Sequence, residues 1–157
     1  MTITQEDLTD TIRKWGNGLI AISTAFEAGG IEKATSTASE FLDRLYGFEF
    51  GPILFKPTLS GGAQTFRPTK QAALSYFVGN DLHYPSDQGF AIKYWREVKS
   101  ETSALIIDGS IAMWMGWVTF KDKDGVLVKV DKSFGFKKSP SGNLKIILHH
   151  SSLPYEA

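Results

Sequence analysis

A histidine and a serine two positions apart near the end of the chain, His149 and Ser151, are the residues whose types and spacing could do chemistry. They sit in the run Asn143-Leu-Lys-Ile-Ile-Leu-His-His-Ser-Ser-Leu-Pro-Tyr155. Strand formers there give way to four hydrogen-bonding side chains before Pro154 ends the ladder. Side chains alternate across a strand, so His149 and Ser151 share one face while His150 and Ser152 share the other. An imidazole, with an ordinary pKa of about 6.5, can accept or relay a proton. A hydroxyl beside it can donate to an anion or orient a water. The pattern suits a pocket at the end of a sheet, and it equally suits a strand emerging into water. A serine-hydrolase pair is disfavoured. Cβ atoms two apart on a strand are roughly 6–7 Å apart, which suits convergence on one small ligand better than a direct nucleophile–base bond of about 2.6–3.2 Å. The chain also has no Gly-x-Ser-x-Gly elbow.

The totals exclude several classes. A chain of 157 residues reads as one domain, 1–157, large enough for a real core. Lys plus Arg and Asp plus Glu are 17 each, so no basic surplus exists to neutralise phosphates and no nucleic-acid partner is expected. The absence of cysteine removes disulfides, thiolate catalysis and sulfur-ligated zinc. Only three histidines occur. Two of them point to opposite faces of one strand, so a three-histidine tripod would need His83 to reach over, and no metal or other cofactor is expected. Carboxylates could still hold a harder ion. The opening residues carry no basic-then-apolar leader, and no apolar run approaches the roughly 20 residues of a membrane helix. The expectation is a cytoplasmic protein without a membrane partner.

The elements that must position the pair follow from periodicity. Thr4 can cap a helix in which Leu8, Ile12, Trp15, Leu19, Ile22 and Phe26 form an apolar stripe, ending at Gly29-Gly30. The Gly16-Asn17-Gly18 triplet inside it marks a kink or a close approach to another backbone. A second helix spans Ile31 to Leu45, and a third, capped by Thr69, spans Lys70 to Val78 and carries Tyr76 near its end. From Phe90 the pattern turns to strands, at 92–99, 104–107, 111–121, 126–137 and 144–151, separated by turn-forming stretches. Three helices followed by an antiparallel meander make an α+β domain with the sheet curling around the helices. The run Ile111 to Phe120 is apolar on both faces, so a second subunit is expected to cover the outer one, giving a homodimer or larger assembly.

Read without further context, Tyr76 is a core residue, Thr58 after Pro57 a turn or cap residue, and His83 a solvated loop residue. A four-residue turn at Ser139 to Gly142 would place Phe134 opposite Ile147, on the His149 face. The four Trp and eleven Phe are chiefly core, with some left to make an apolar wall.

Three helices before a curled antiparallel sheet resemble the nuclear-transport-factor-2-like cone, home of the kinase II association domain, steroid isomerases and polyketide cyclases. More narrowly, six motifs resemble the iota-class carbonic anhydrases: Leu54-Phe-Lys-Pro-Thr58, Phe66-Arg-Pro-Thr69, Ala73-Leu-Ser-Tyr-Phe-Val-Gly79, Gly89-Phe-Ala, Phe134-Gly-Phe136 and His149-His-Ser-Ser-Leu-Pro-Tyr155. They cover roughly two-thirds of the chain. The resemblance implies reversible hydration of CO2 to bicarbonate, with bicarbonate held by Thr58, Tyr76, His149 and Ser151. Phe134 becomes a candidate for substrate binding. Members of that class are described both as metal-free and as metal-using; here a metal-free site with His149 as proton acceptor or relay is expected. Two other functions compete. An assembly module like the kinase association domain would have an inert pocket. An isomerase or cyclase would need a buried carboxylate base, and none can be assigned.

Overall fold

The computed structural model describes residues 2–157. Helix α1 spans Gln5–Leu45 and α2 spans Lys70–Val78. The strands are β1 (Leu54–Lys56), β2 (Trp95–Asp108), β3 (Ile111–Asp122), β4 (Leu127–Lys138) and β5 (Leu144–Ser152). They form one sheet in the order β1-β5-β4-β3-β2, antiparallel except for the parallel pair β1–β5. The architecture is the expected α+β. Among the described residues no helix is long and apolar enough to cross a membrane.

The helix count differs from the expectation of three. Thr4 starts α1 with a capping box, its hydroxyl accepting from Asp7 N while the Asp7 carboxylate accepts from Thr4 N. At Gly30 the backbone leaves helical geometry (φ 72°, ψ −162°), yet helix resumes with no intervening loop, so the first two expected helices are one element with two arms. A φ in that region is open to glycine without a Cβ penalty. Gly18 meets Phe41, so closely that an added Cβ would collide with the ring. A straight helix would separate those residues by roughly 35 Å, so the arms fold back on each other. The Gly16–Gly18 stretch, expected to mark a kink or the approach of another backbone, stays helical and is approached by side chains instead: Gly18 admits Phe41 and Gly16 admits Val98, whose Cγ1 would lie 3.0 Å from an added Cβ.

The strand reading needs one merger. The segments expected at 92–99 and 104–107 are a single strand from Trp95, because Ser100, Glu101 and Thr102 stay paired to β3 and Ser103 alone is passed over at a register shift before Ala104. Phe90–Ile92, expected to lead into the strand, is a 3-10 turn. The core lies between α1, α2 and the inner sheet face, where Leu8, Trp15, Leu19, Phe41 and Phe77 pack against Trp114, Phe120, Val130, Phe134 and Ile146. The outer face is not covered within the chain: Ile106, Met113 and Met115 are 63%, 49% and 58% exposed.

Candidate active site

Strand β5 is the axis of the site because it is paired on both sides. In the parallel ladder Phe55 of β1 stands beside His149, which carries the chain onward through Pro57 to Thr58 near Ser151. In the antiparallel ladder Lys132 of β4 pairs with Ser151, and Phe134 with His149. Phe134 shares the His149 face as expected, but it lies opposite His149 rather than Ile147. The two-residue difference has two sources: the connection is five residues long, with Lys138 paired to Leu144, and a bulge between Gly135 and Phe136 skips Ile147. The capping bond from Ala72 N to the Thr69 hydroxyl starts α2, and Tyr76 reaches the site from the far end of that helix.

Thr58, Tyr76, His149 and Ser151 do come together. The Thr58 and Ser151 hydroxyls are 2.6 Å apart, and Leu59 N donates to the Tyr76 hydroxyl at 3.3 Å. His149 and Ser151 are buried and Thr58 is partly so. A small cavity of about 10 Å³ is bounded by Trp15, Phe55, Pro57, Thr58, Tyr76, Phe77, Phe90, Lys132 and His149. That is room for about one water. Tyr76 and Phe90, stacked at 5.9 Å, also line an adjoining cleft of about 170 Å³ with Asp87, Gly89 and Lys93. A four-heavy-atom anion needs more room than the small cavity gives, and this cleft is the free space adjoining the cavity across the two rings. Phe134 packs against His149 at 4.6 Å between ring centroids but is not among the cavity-lining side chains. The apolar walls are Trp15, Phe55, Phe77 and Phe90. A larger apolar groove of about 760 Å³, between residues 31–36 of α1 and α2, holds none of these groups.

Three participants were missed by sequence reasoning: Lys132, Tyr46 and Trp15. Lys132 Nζ lies 2.8 Å from His149 Nε2 and 3.1 Å from Ser151 Oγ, and 4.7 Å from the centre of the Trp15 ring. The signal for it existed. Val128, Val130, Lys132 and Phe134 alternate inward along β4, so a lysine occupies a core register. Tyr46, just past α1, sits between Trp15 Nε1 at 2.9 Å and His149 Nδ1 at 2.8 Å. No local pattern links residues that far apart in the chain.

The electrostatics follow from burial. Desolvation, reinforced by the neighbouring Lys56, brings Lys132 down to about 7 despite the opposing pull of Asp131. Desolvation, with Lys132 and His150 adding to it, holds His149 well below the ordinary imidazole range. Burial pushes Tyr76 up to about 12 and Tyr46 higher still, so both phenols stay protonated donors. Among the described residues, no buried side-chain nitrogen or oxygen lacks a partner, and no cluster of three or more His, Asp or Glu is placed to hold a metal ion. A three-histidine site does not fit these residues. Both His149 nitrogens are engaged, His150 is exposed, and His83 is 78% exposed and bonded to Asp81.

The roof is fixed separately. Arg67 and Asp87 form a two-pronged ion pair at 2.6 and 2.8 Å, their side chains 3% and 5% exposed. Ser75 of α2 donates to the same carboxylate at 2.6 Å. The pair ties α2 to the loops on either side of it, and so holds Tyr76 over the cavity.

A family model described as metal-independent carbonic anhydrase matches residues 6–153. The metal-independent carbonic anhydrase of Nostoc sp. (strain PCC 7120 / SAG 25.82 / UTEX 2576) is 46% identical over 154 residues, covering 98% of this chain and 75% of that protein. The crystal structure of an iota-carbonic anhydrase from a cyanobacterium, complexed with bicarbonate, is 46% identical and matches with a TM-score of 0.98 over 99% of this chain and 95% of that one. A nuclear transport factor 2-like superfamily protein from Salmonella enterica subsp. enterica serovar Typhimurium str. LT2 shares the fold, with a TM-score of 0.53 at 14% identity over 97% and 92% of the two chains.

Proposed function

The chain belongs to the metal-independent carbonic anhydrase family, and from that premise we propose that it interconverts CO2 and bicarbonate, without a metal, at the cavity lined by Thr58, Tyr76, Lys132 and His149, with Ser151 bonded to Thr58 and Lys132 just behind that lining. One observation carries the reading: hydroxyl, imidazole and amine groups from the segment after β1, from α2, β4 and β5 meet at one apolar-walled cavity. The iota-carbonic anhydrase of near-identical fold is complexed with bicarbonate, and the same ligand suits this donor set.

Hydration needs a water held against carbon, a place for its proton, and donors for the oxygen that becomes negative. The aromatic walls hold CO2, which brings no strong hydrogen-bonding demand of its own. The Thr58, Ser151 and Tyr76 hydroxyls donate to the developing carbonate oxygens. Burial keeps the phenol protonated for that purpose. The proton passes to the paired amine and imidazole of Lys132 and His149. A positioned base supplies roughly 10²–10⁴-fold, so the enzyme is slower than one in which zinc lowers the water's pKa to about 7. Stopped-flow CO2 hydration after exhaustive chelation tests the reading. Catalysis that survives chelation and falls in Ser151→Ala is expected; a rate equal to buffer, with or without added zinc or manganese, overturns it.

The exposed apolar residues of the outer sheet face favour a second copy as its cover. Ile106 pairs across to Met113, and Ala104 to Met115, making one continuous patch on β2 and β3. A homodimer by light scattering that dissociates in Met113→Lys is expected, and a monomer at working concentration contradicts this part of the proposal.

A further inference from the structure

The hydrogen-bond polarity around His149 can be read from its one unambiguous end. An indole N–H only donates, so Tyr46 accepts from Trp15 Nε1 at 2.9 Å. The Tyr46 proton must then find an acceptor, and His149 Nδ1 at 2.8 Å is the one in contact with it. A neutral imidazole that accepts at Nδ1 carries its proton on Nε2. That N–H points at Lys132 Nζ, 2.8 Å away, where only an uncharged amine offers a lone pair. The amine donates in turn to Ser151 Oγ at 3.1 Å, and Ser151 stands 2.6 Å from Thr58. The chain of bonds therefore runs one way, from Trp15 through Tyr46, His149 and Lys132 to Ser151, whose bond with Thr58 can be donated from either side.

His149, the sequence's candidate acceptor, has no vacant lone pair in that arrangement. We propose that Lys132 Nζ takes the proton from the attacking water, and that His149 is a donor of fixed tautomer. The proposal rests on the carbonic anhydrase reading and assigns a further catalytic residue within it. Rotation about Cε–Nζ turns the amine lone pair from the imidazole to the cavity that Lys132 lines. The freed His149 Nε2–H then donates to a substrate oxygen. The water O–H bond breaks, its proton forms the third N–H of an ammonium, and the water oxygen bonds to the CO2 carbon. The displaced C=O π pair becomes the carboxylate charge held by Thr58, Ser151 and Tyr76. Returning the ammonium proton to buffer restores the amine.

The groups facing Lys132 are consistent with an amine that changes charge during turnover. His149 and Ser151 face it from β5, Trp15 from α1, Thr58 and Tyr76 across the cavity, and Lys56 lies on β1. Asp131, on its own strand, is the one carboxylate acting on it. Lys56, donating to Ser151 O at 2.8 Å, opposes protonation.

The test is the pH–rate profile of CO2 hydration in three proteins. Wild type is expected to gain activity as the pH rises through an inflection near 7, where Lys132 loses its proton. Lys132→Met is expected to lose that limb together with roughly 10²-fold or more of the rate, while His149→Gln keeps the limb at reduced rate. The chain has no cysteine, so Lys132→Cys alkylated with 2-bromoethylamine installs one less basic amine at that position. Its limb is expected to return, moved to lower pH, which keeps the test decisive if Lys132→Met does not fold. In 15N spectra of histidine-labelled wild type, His149 is expected to be a neutral Nε2–H tautomer above the inflection, where the amine is uncharged, and to form no imidazolium as the pH falls through it. A limb that persists in Lys132→Met or does not move with the less basic amine, or an His149 imidazolium titrating with the rate, overturns the proposal. Wild type without any hydration above buffer is a different failure, that of the carbonic anhydrase reading itself.

Discussion

Replacing Tyr46 by Phe removes one oxygen and leaves two buried groups without partners. The hydroxyl accepts from Trp15 Nε1 at 2.9 Å and donates to His149 Nδ1 at 2.8 Å, with all three residues 1% exposed. Each buried polar group left unpaired costs about 1–3 kcal/mol. Two orphans therefore predict a loss of about 2–6 kcal/mol, and partial relaxation of the imidazole puts the expectation near the lower half of that range. In a domain of this size, 1 kcal/mol moves Tm by roughly 2–4 °C, so a drop of about 5–15 °C is expected. Urea unfolding of Tyr46→Phe, with an unchanged slope against denaturant, measures it. The double variant Trp15→Phe/Tyr46→Phe is expected to lose less than the sum of its parts by about 1 kcal/mol, because it no longer strands the indole N–H. CO2 hydration is expected to fall as well, since nothing then fixes the His149 tautomer. A stability change within about 0.5 kcal/mol, the range of ordinary surface substitutions, together with full activity, would refute the chain of bonds from Trp15 to Lys132.

Other consequences follow from burial. Lys132 is brought from 10.5 to about 7 by desolvation, so between those values the unfolded chain holds a proton that the folded one lacks. Stability then rises with pH across that window, by at most about 1.4 kcal/mol per unit, and His149 adds a rise of the same sign below 6.5; unfolding measured from pH 6 to 10 should show the Lys132 part vanish in Lys132→Met. Asp87→Ala strands the buried Arg67 guanidinium and is expected to cost about 3–5 kcal/mol by chemical denaturation, with a raised KM because Tyr76 loses its support. Gly18→Ala drives a methyl into the Phe41 ring and is expected to cost about 1–3 kcal/mol in the same assay, with no change in the pH–rate inflection.

Much of this molecule is local in origin and could be read locally. The Thr4 and Thr69 caps, the apolar stripe from Leu8 to Phe26, and the hairpin turns follow from nearest neighbours and periodicity. Strand alternation places His149 and Ser151 on one face, and the closing His-His-Ser-Ser block drew Thr58 and Tyr76 to them through family resemblance. What stayed hidden depends on tertiary context. Gly30 reads as a stop, and whether helix resumes beyond it is decided by the packing of Phe41 against Gly18. Ser100–Ser103 reads as a loop, yet pairing to β3 holds it in the ladder through a bulge. A turn one residue longer than expected, together with another bulge at Gly135, moved Phe134 from Ile147 to His149. Lys132 was legible in principle, as a lysine in an inward register, but lysines so rarely stay buried that the residue type argued against its position. The hydroxyl of Tyr46 was not legible, because its partners lie 31 and 103 residues away.

The most direct measurement is a crystal structure of the chelated protein soaked in bicarbonate. Density for a planar anion is expected in the cavity between β5 and α2, with oxygens within hydrogen-bond distance of Thr58, Tyr76, Ser151 and the Lys132–His149 pair, and the Tyr76 and Phe90 rings displaced toward the adjoining cleft. An anion bound elsewhere, or the same cavity still closed at saturating bicarbonate, would contradict the account.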